Sequence, residues 1–203
     1  MVIRRGESWG ANGPLAADAP VLDSDGALRA LVESARRAHQ PLGEVGLVGG
    51  DLCATLGGLR SRERLFTDEA LRAPIDVVRA ELDGRPHWFV AHLVARRRWW
   101  RGEAAVAMNA EWLGSWKLGI RAHPNDGLVD VTSGSLGWRD RLRARDRART
   151  GTHLPHPRLT TRRADRLTLA FPKPTPVVLD GVAAGTASEI VLWVEPDALL
   201  VVV

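Results

Sequence analysis

Two apolar runs joined by a turn signal occupy residues 74–95, whose sequence is PIDVVRAELDGRPHWFVAHLVA. The runs are Ile75–Leu82 and His87–Ala95, and Asp83-Gly84 lies between them. An Asp-Gly pair between two extended apolar runs is a strong hairpin signal. We therefore predict two antiparallel strands that are connected by a tight turn.

Shorter strand-like runs follow this hairpin along the rest of the chain. Pro and Gly residues separate them, and strands at such spacing are typical of antiparallel sandwiches and barrels. One helix is predicted to interrupt them, from Trp138 to about Arg149. The predicted fold class is mainly β (α+β), an antiparallel β-sandwich-like domain preceded by a small α/β fragment. The further predicted strands are Glu103–Met108, Leu128–Val131, Arg166–Ala170, Val177–Leu179, Ile190–Val194 and Leu199–Val203.

The N-terminal part of the chain has helical periodicity and glycine-rich turns. Ser24 or Asp25 is a suitable N-cap for a helix that ends before Pro41. A strand, Val45–Val48, and a short helix, Leu52–Leu56, are predicted next. The predicted divisions of the chain are residues 1–24, a flexible N-terminal arm, residues 25–73, an α/β segment, and residues 74–203, the β-sandwich-like domain.

The composition excludes several classes of protein and site. The 203 residues include one cysteine, Cys53, which excludes a disulfide framework and a thiolate-rich zinc or iron–sulfur site. No apolar run reaches the roughly 18 residues of a transmembrane helix, and the N-terminus has no apolar segment typical of a secretory signal. The histidines do not form a His-Glu-x-x-His metal motif. The expected location is cytoplasmic.

Gly49-Gly50-Asp51 lies between a predicted strand and a predicted helix. Backbone amides in such a turn can bind a phosphate group. The residues form neither a Walker A loop nor the spaced glycine motif of dinucleotide-binding proteins. The signal is weak on its own, and a tight turn without a ligand is the favoured interpretation.

An Asn-Asp-Gly turn at residues 125–127 precedes the predicted strand Leu128–Val131. Such a turn can simply be a hairpin loop. It can also present the carboxylate of Asp126, together with nearby carbonyl groups, to a hard cation such as Mg²⁺. A single carboxylate is a weak ligand set for a cation, and the hairpin loop is the simpler interpretation.

Positive charge is concentrated in two segments. Residues 96–101 combine arginine and tryptophan, which suits an anionic membrane interface, a stacking surface for single-stranded nucleic acid or a solvated hairpin end. Residues 139–166 contain ten Arg and three Asp, a local net charge of +7 in a chain whose net charge is +4. This segment is either a solvated helix or a patch that attracts phosphate headgroups. The candidate lipid- or polyanion-binding residues are Arg96, Arg97, Arg98, Trp99, Trp100, Arg141, Arg145 and Arg149.

Several short motifs follow one another in a fixed order along residues 74–203. They are Ala107-Met108-Asn109-Ala110, the turn and strand at residues 123–131, Gly151-Thr152-His153, residues 177–181 and Glu195-Pro196-Asp197-Ala198-Leu199. In order and spacing they resemble the bacterial diacylglycerol kinase and YegS-like lipid kinase family. The resemblance implies that residues 74–203 form the C-terminal β-sandwich domain of that family. It also implies that residues 25–73 are a remnant of a truncated N-terminal catalytic domain, which binds the nucleotide.

The catalytic parts of the family pattern are missing. No stretch matches the Gly-Gly-Asp-Gly-Thr nucleotide loop, so the nucleotide site is reduced to Gly49, Gly50 and Asp51. The resemblance places the catalytic base in the Glu of an Asp-Gly-Glu turn, and this sequence has Val182 there. A valine cannot accept a proton, so no catalytic residue is predicted.

The cation-binding turn of the family is present. The resemblance implies that Asp126 is its side-chain ligand and that carbonyl groups at His123 and Leu128 complete the set. Mg²⁺ at this turn is the one cofactor that we consider.

Three functions are compatible with these observations. We favour a truncated, non-catalytic lipid-kinase-like protein with a lipid- or partner-binding role at an anionic membrane surface, where it would be a peripheral protein. The second is an ATP-dependent lipid kinase completed in trans, by a separate nucleotide-binding chain or in a homodimer. The third, nucleic-acid binding through the arginine-rich segments, is the least expected. Whether the protein is an enzyme stays open, although the missing nucleotide loop and catalytic Glu argue against activity.

Overall fold

A computed structural model of the protein describes residues 9–98 and 102–203. Strands dominate the structure, which confirms the predicted mainly β fold class. The strands are β1 (Ala11–Asn12), β2 (Val21–Leu22), β3 (Val45–Leu47), β4 (Leu71–Leu82), β5 (Arg85–Phe89), β6 (His92–Ala95), β7 (Ala104–Met108), β8 (Trp112–Leu113), β9 (Trp116–Lys117), β10 (Val129–Gly134), β11 (Leu159–Ala164), β12 (Arg166–Leu179) and β13 (Val182–Val202). The helices are α1 (Asp25–Arg37), α2 (Gly50–Thr55) and α3 (Trp138–Ala148), with a short 3₁₀ helix at Glu63–Phe66.

Most strands belong to one curled sheet with the order β1-β4-β13-β12-β6-β7-β10-β11. These neighbours are antiparallel, and β5 pairs with the outer part of β4. Two parallel pairs, β2 with β3 and β3 with the end of β13, join the N-terminal segment to this sheet. Strands β8 and β9 form a small separate hairpin. None of the helices in the described part of the chain has the length and apolar character needed to span a bilayer.

The predicted elements of the N-terminal segment are present. Helix α1 begins after Ser24, whose hydroxyl accepts a hydrogen bond from the backbone N–H of Ala27. Strand β3 and helix α2 follow, and the chain leaves α2 through Gly57, which has a positive φ of 78°. Residues 9–24 contribute β1 and β2 to the sheet.

The predicted hairpin at Asp83-Gly84 is present, but its second strand is shorter than predicted. The run His87–Ala95 is not continuous, because β5 ends at Phe89 and β6 begins at His92. Strand β5 pairs with β4, whereas β6 pairs with β12 and β7. The break occurs where three consecutive backbone N–H groups donate to the carboxylate of Asp180 instead of to a strand partner.

Two pairs of short predicted strands are in fact two long strands. Pro172 and Pro174 lie inside β12, where the pairing with β13 has a register shift between Ala170 and Thr175, and Pro176 follows directly after it. Proline is tolerated at such irregularities, because the missing N–H is not needed there. Likewise, β13 continues past Pro196 through an irregularity between Glu195 and Leu199. Proline was therefore a misleading stop signal in these two strands.

The sequence analysis also missed β11, an edge strand. Its sequence, LTTRRA, has almost no apolar residues, because most of its side chains are exposed. An edge strand with arginines is disfavoured for pairing with other chains, so this composition fits its place in the sheet.

The sheet has a separate hydrophobic core on each side. One core lies among strands β4, β5, β6, β7, β10, β12 and β13 and includes Phe89, Leu179 and Ile190. The other lies between the sheet and the helices, where Leu28 and Val32 of α1 pack with residues of α2, β3 and the sheet. This second core fixes the N-termini of α1 and α2 beside the sheet, which positions the polar residues described next.

Candidate functional site

The glycine turn before α2 is closed by an internal carboxylate. Asp25, the first residue of α1, accepts hydrogen bonds from the backbone N–H groups of Asp51, at 2.6 Å, and Leu52, at 3.2 Å. A Cβ at Gly49 would overlap the carbonyl oxygen of Asp23, and a Cβ at Gly50, where φ is 91°, would overlap the Asp25 carboxylate. The two glycines are thus required for this close approach, and the amides that could receive a phosphate are bonded to Asp25.

Asp51 and His92 lie beside Asp25. The carboxylate of Asp51 accepts a hydrogen bond from the backbone N–H of Gly114 at 3.0 Å, and its Oδ2 is 3.7 Å from Nδ1 of His92. Burial raises the pKa of Asp25 to about 6, and burial lowers the pKa of His92, which favours the neutral imidazole. We call Asp25, Asp51 and His92 the junction cluster, since it lies where the helices meet the sheet.

Asp180 supports the same region from the turn between β12 and β13. Its buried carboxylate accepts hydrogen bonds from the backbone N–H groups of Val90, Ala91 and His92 at 2.8 to 2.9 Å. Burial raises its pKa to about 7, against the lowering effect of these hydrogen bonds. Val182, two residues after Asp180, is 43% exposed, and one of its methyl groups lies against Gly26 at the start of α1. The turn therefore offers an exposed apolar side chain and no exposed acid.

The turn at residues 123–128 uses its polar groups internally. One carboxylate oxygen of Asp126 accepts the backbone N–H of Leu128 at 2.9 Å, and the other pairs closely with the guanidinium of Arg163. The imidazole of His123 accepts the backbone N–H of Asn125 and packs edge-on against Trp9. A Mg²⁺ ion beside Asp126 would have to lie next to the Arg163 guanidinium. The set Asp126, His123 and Leu128 stays a prediction as a cation site.

Asp76 on β4 holds this turn in place. Its buried carboxylate accepts the backbone N–H groups of Gly127 at 2.7 Å and Asp197 at 3.0 Å. Asn125, also buried, donates from Nδ2 to the carboxylate of Asp197 at 2.8 Å. Burial raises the pKa of Asp76 to about 6. These bonds give the residues of the turn a structural role.

Helix α3 exposes two large apolar side chains on one face. Trp138 is 63% exposed and Leu142, one turn later, is 59% exposed. Arg145 and Arg149 lie on the same face at helical spacing, and both are exposed. Arg141 is half-buried at the edge of this face, on the side where Ala148 is buried against the rest of the protein.

The first arginine segment follows β6. Arg96 and Arg98 are exposed and Arg97 is half-buried. The candidate residues Trp99 and Trp100 lie outside the described residues. Ala104, at the start of β7, pairs with Gly134, at the end of β10, so Gly102 and Glu103, which lead into β7, lie at the same end of adjacent strands as the segment that leads to α3.

Comparison with known proteins identifies the fold. No protein-family model and no curated protein matches this sequence. Three solved structures of diacylglycerol kinases from Bacillus anthracis str. Sterne are similar, with TM-scores of 0.67, 0.67 and 0.63 at 12, 11 and 13% sequence identity. The matches cover 89, 90 and 89% of this chain and 76, 76 and 74% of the kinases. The chain has a diacylglycerol-kinase-like fold.

This lipid-kinase-like fold agrees with the resemblance that the C-terminal motifs indicated. The motif residues stabilise the sheet through hydrogen bonds to its backbone. Asn109, for example, donates from Nδ2 to the backbone carbonyls of Asp76 and Val90. Asp180 of the residue 177–181 motif holds the break between β5 and β6. The short polar motifs were recognisable because they position backbone groups in the fold.

Several residues of the candidate sites were missed by the sequence analysis. Asp25 was considered only as a helix cap, because nothing in the sequence shows that its carboxylate meets the backbone N–H groups of Asp51 and Leu52. His92 had no distinguishing signal, because it lies in an apolar run that predicts a strand. Trp138 and Leu142 were not recognised as an exposed pair, because a helical pattern alone does not tell which face the protein covers.

Proposed function

We propose that this chain is a lipid-kinase-like protein that binds anionic lipid surfaces through α3 and does not transfer phosphate by itself. The observation on which the proposal rests is the exposed face of α3, on which Trp138 and Leu142 lie beside arginines. Tryptophan and leucine with arginine are the side chains of helices that lie in the interface of a membrane.

The charge of α3 supports an anionic occupant. The helix contains five arginines and two aspartates, a net charge of +3. A lipid surface with negative headgroups attracts each nearby arginine by about 1 kcal/mol, and the apolar pair would enter the boundary with the acyl chains. The exposed residues Arg96 and Arg98 add positive charge at an end of the sheet from which the segment leading to α3 also departs. An anionic membrane explains both the charge and the exposed apolar pair, whereas a solvated helix explains only the charge.

The junction supports the absence of autonomous phosphoryl transfer. Phosphoryl transfer needs a phosphate cradle and an oriented nucleophile. Here the amides before α2 are bonded to Asp25, and Val182 stands where the family resemblance implies the catalytic acid. Loss of a general base alone typically reduces a rate by a factor of about 10² to 10⁴.

Vesicle flotation tests the lipid-binding part of the proposal. The wild-type protein is expected to float with phosphatidylcholine vesicles that contain phosphatidylglycerol, not with pure phosphatidylcholine, and to dissociate as salt is raised. Replacing Arg141, Arg145 and Arg149 by Gln should weaken binding at least tenfold. The matched control replaces Arg37, Arg62 and Arg85, which are exposed on other elements, and should bind like the wild type. Equal losses in the two triple variants would contradict a site on α3.

A phosphorylation assay tests the second part of the proposal, that the chain does not transfer phosphate by itself. The purified chain is incubated with ATP, Mg²⁺ and vesicles that contain diacylglycerol, and phosphatidic acid is measured. We expect no product above the background without protein. Turnover by the purified chain alone would overturn the non-catalytic assignment, whereas turnover that appears only with an added nucleotide-binding chain would favour the kinase completed in trans.

A further inference from the structure

The junction cluster brings ligand-type side chains together from three elements. Asp25 begins α1, Asp51 lies in the first turn of α2, and His92 begins β6. One ligand atom from each residue lies within 4.8 Å of the others, and no other group of three His, Cys, Asp or Glu side chains within residues 9–98 and 102–203 meets this condition. The three residues are far apart in the sequence, so the fold creates the cluster.

His92 is the independent sign that the cluster has a ligand. Its side chain is only 5% exposed, and its Nδ1 points towards the Asp51 carboxylate at 3.7 Å, which is beyond hydrogen-bond distance. Nδ1 has no hydrogen-bond partner among the described residues. Buried polar atoms in proteins are nearly always bonded, so an imidazole nitrogen in this position calls for a partner between it and the carboxylates.

We propose that Asp25, Asp51 and His92 bind a divalent transition-metal ion, of which Zn²⁺ is the representative. Mg²⁺ and Ca²⁺ prefer oxygen ligands alone, whereas imidazole with carboxylate suits Zn²⁺. Around a tetrahedral Zn²⁺ with bonds of about 2.1 Å, neighbouring ligand atoms are about 3.4 Å apart. The 3.7 Å between His92 and Asp51 is close to this distance, and an oxygen of Asp25 lies within 4.8 Å of both.

The hydrogen bonds of the cluster are compatible with a metal ion. Each oxygen of Asp25 accepts one backbone N–H, and the carboxylate of Asp51 accepts the N–H of Gly114. Ionised carboxylate oxygens have further lone pairs for a metal. Three protein ligands leave a coordination position for water, as in many zinc sites. The ion would connect α1 and α2 to β6, so its binding should stabilise the folded protein.

Calorimetric titration of the metal-free full chain with ZnCl₂ tests this proposal, with MgCl₂ as the comparison and the melting temperature as a second readout. We expect one equivalent of Zn²⁺, a higher melting temperature and no comparable effect of Mg²⁺. Asp51→Asn, which retains an acceptor for Gly114, and His92→Gln should each weaken Zn²⁺ binding at least tenfold. Circular dichroism reports whether each variant folds. If His92→Gln does not fold, Zn²⁺ binding by Asp51→Asn decides the question.

The matched control is the double variant Asp140→Asn and His156→Gln, which removes one acid and one histidine beside α3. It should bind Zn²⁺ like the wild type. The proposal is overturned if the wild type does not bind Zn²⁺, if binding persists in both cluster variants, or if only the control variant loses it. The proposal is independent of lipid binding, so each can fail without the other.

Discussion

Asp25, Asp76 and Asp180 show how single buried carboxylates replace missing backbone partners in this protein. Asp25 bonds the first amides of α2, and Asp76 bonds the amides of Gly127 and of Asp197 in the irregular stretch of β13. Asp180 bonds three consecutive amides at the break between β5 and β6. A buried N–H without a partner costs about 1 to 3 kcal/mol. Replacing any one of these three carboxylates should therefore lower the free energy of unfolding substantially.

Asp180→Ala is expected to lower the free energy of unfolding by about 3 to 5 kcal/mol. The substitution leaves three buried amides without their acceptor, and alanine is also disfavoured at the positive φ of 47° that Asp180 adopts. Urea unfolding measures the change. Asp146→Ala, an exposed position on α3, is the control and should change the value by less than about 0.5 kcal/mol. Similar values for both variants would contradict the role of Asp180.

Asp76 should make stability depend on pH in a direction unusual for an aspartate. Its pKa is about 6 in the folded protein, above the ordinary value of 3.8. Between these values the folded protein binds more protons than the unfolded chain, so the free energy of unfolding falls as pH rises from about 4 to 6. Asp76→Asn cannot titrate and should show a shallower decline, by on the order of 2 kcal/mol over this range. Urea unfolding at a series of pH values measures the slope, and an unchanged slope in the variant would refute the assignment.

The helices differ in how they are attached to the sheet. Helix α1 buries Leu28 and Val32 fully in the core beside the sheet. Helix α3 exposes Trp138 and Leu142, and of its residues only Ala148 is buried. A helix with so little buried surface adds little to stability, which leaves its exposed face available for binding.

Leucine-to-alanine substitutions distinguish the two helices. Leu28→Ala in α1 should lower the free energy of unfolding by about 2 to 5 kcal/mol, because it removes a fully buried side chain. Leu142→Ala in α3 should change it by less than about 0.5 kcal/mol. Chemical denaturation of the two variants provides the measurement. A large loss in Leu142→Ala would mean that α3 packs against the protein and would count against a binding face there.

At the scale of the whole molecule, the sheet extends across the predicted division at residue 73. Strand β4 begins at Leu71, and β3 pairs with the end of β13. The helices of the N-terminal segment share a hydrophobic core with the sheet. These contacts favour a protein that unfolds as one unit.

Labelling of Cys53 can show whether the whole chain unfolds as one cooperative unit. Cys53 is the chain's single cysteine and is fully buried in the core between the helices and the sheet. Its labelling by a thiol reagent across a urea series should coincide with the loss of the far-ultraviolet circular dichroism signal. Labelling at clearly lower urea concentrations would show that residues 25–73 unfold separately, as two domains would.

The parts of the fold that could be predicted from sequence are those that depend on local chemistry. Asp83-Gly84, the Ser24 cap and the Gly57 stop each act within a few residues, and each prediction is confirmed. The length of β12 and β13 could not be predicted, because proline stops a strand only where its N–H is needed. The junction cluster could not be predicted either, since Asp25 and His92 come together only through the sheet topology.

Lipid binding through α3 is the central claim, and vesicle flotation of a double variant tests it most directly. Trp138→Ser with Leu142→Ser removes the exposed apolar pair and leaves the charge unchanged, and the control, Leu59→Ser with Phe66→Ser, removes two exposed apolar side chains elsewhere. With vesicles that contain phosphatidylglycerol, we predict that the α3 variant remains in the dense fraction while the control floats like the wild type. Flotation of the α3 variant to the same extent as the wild type would contradict the account.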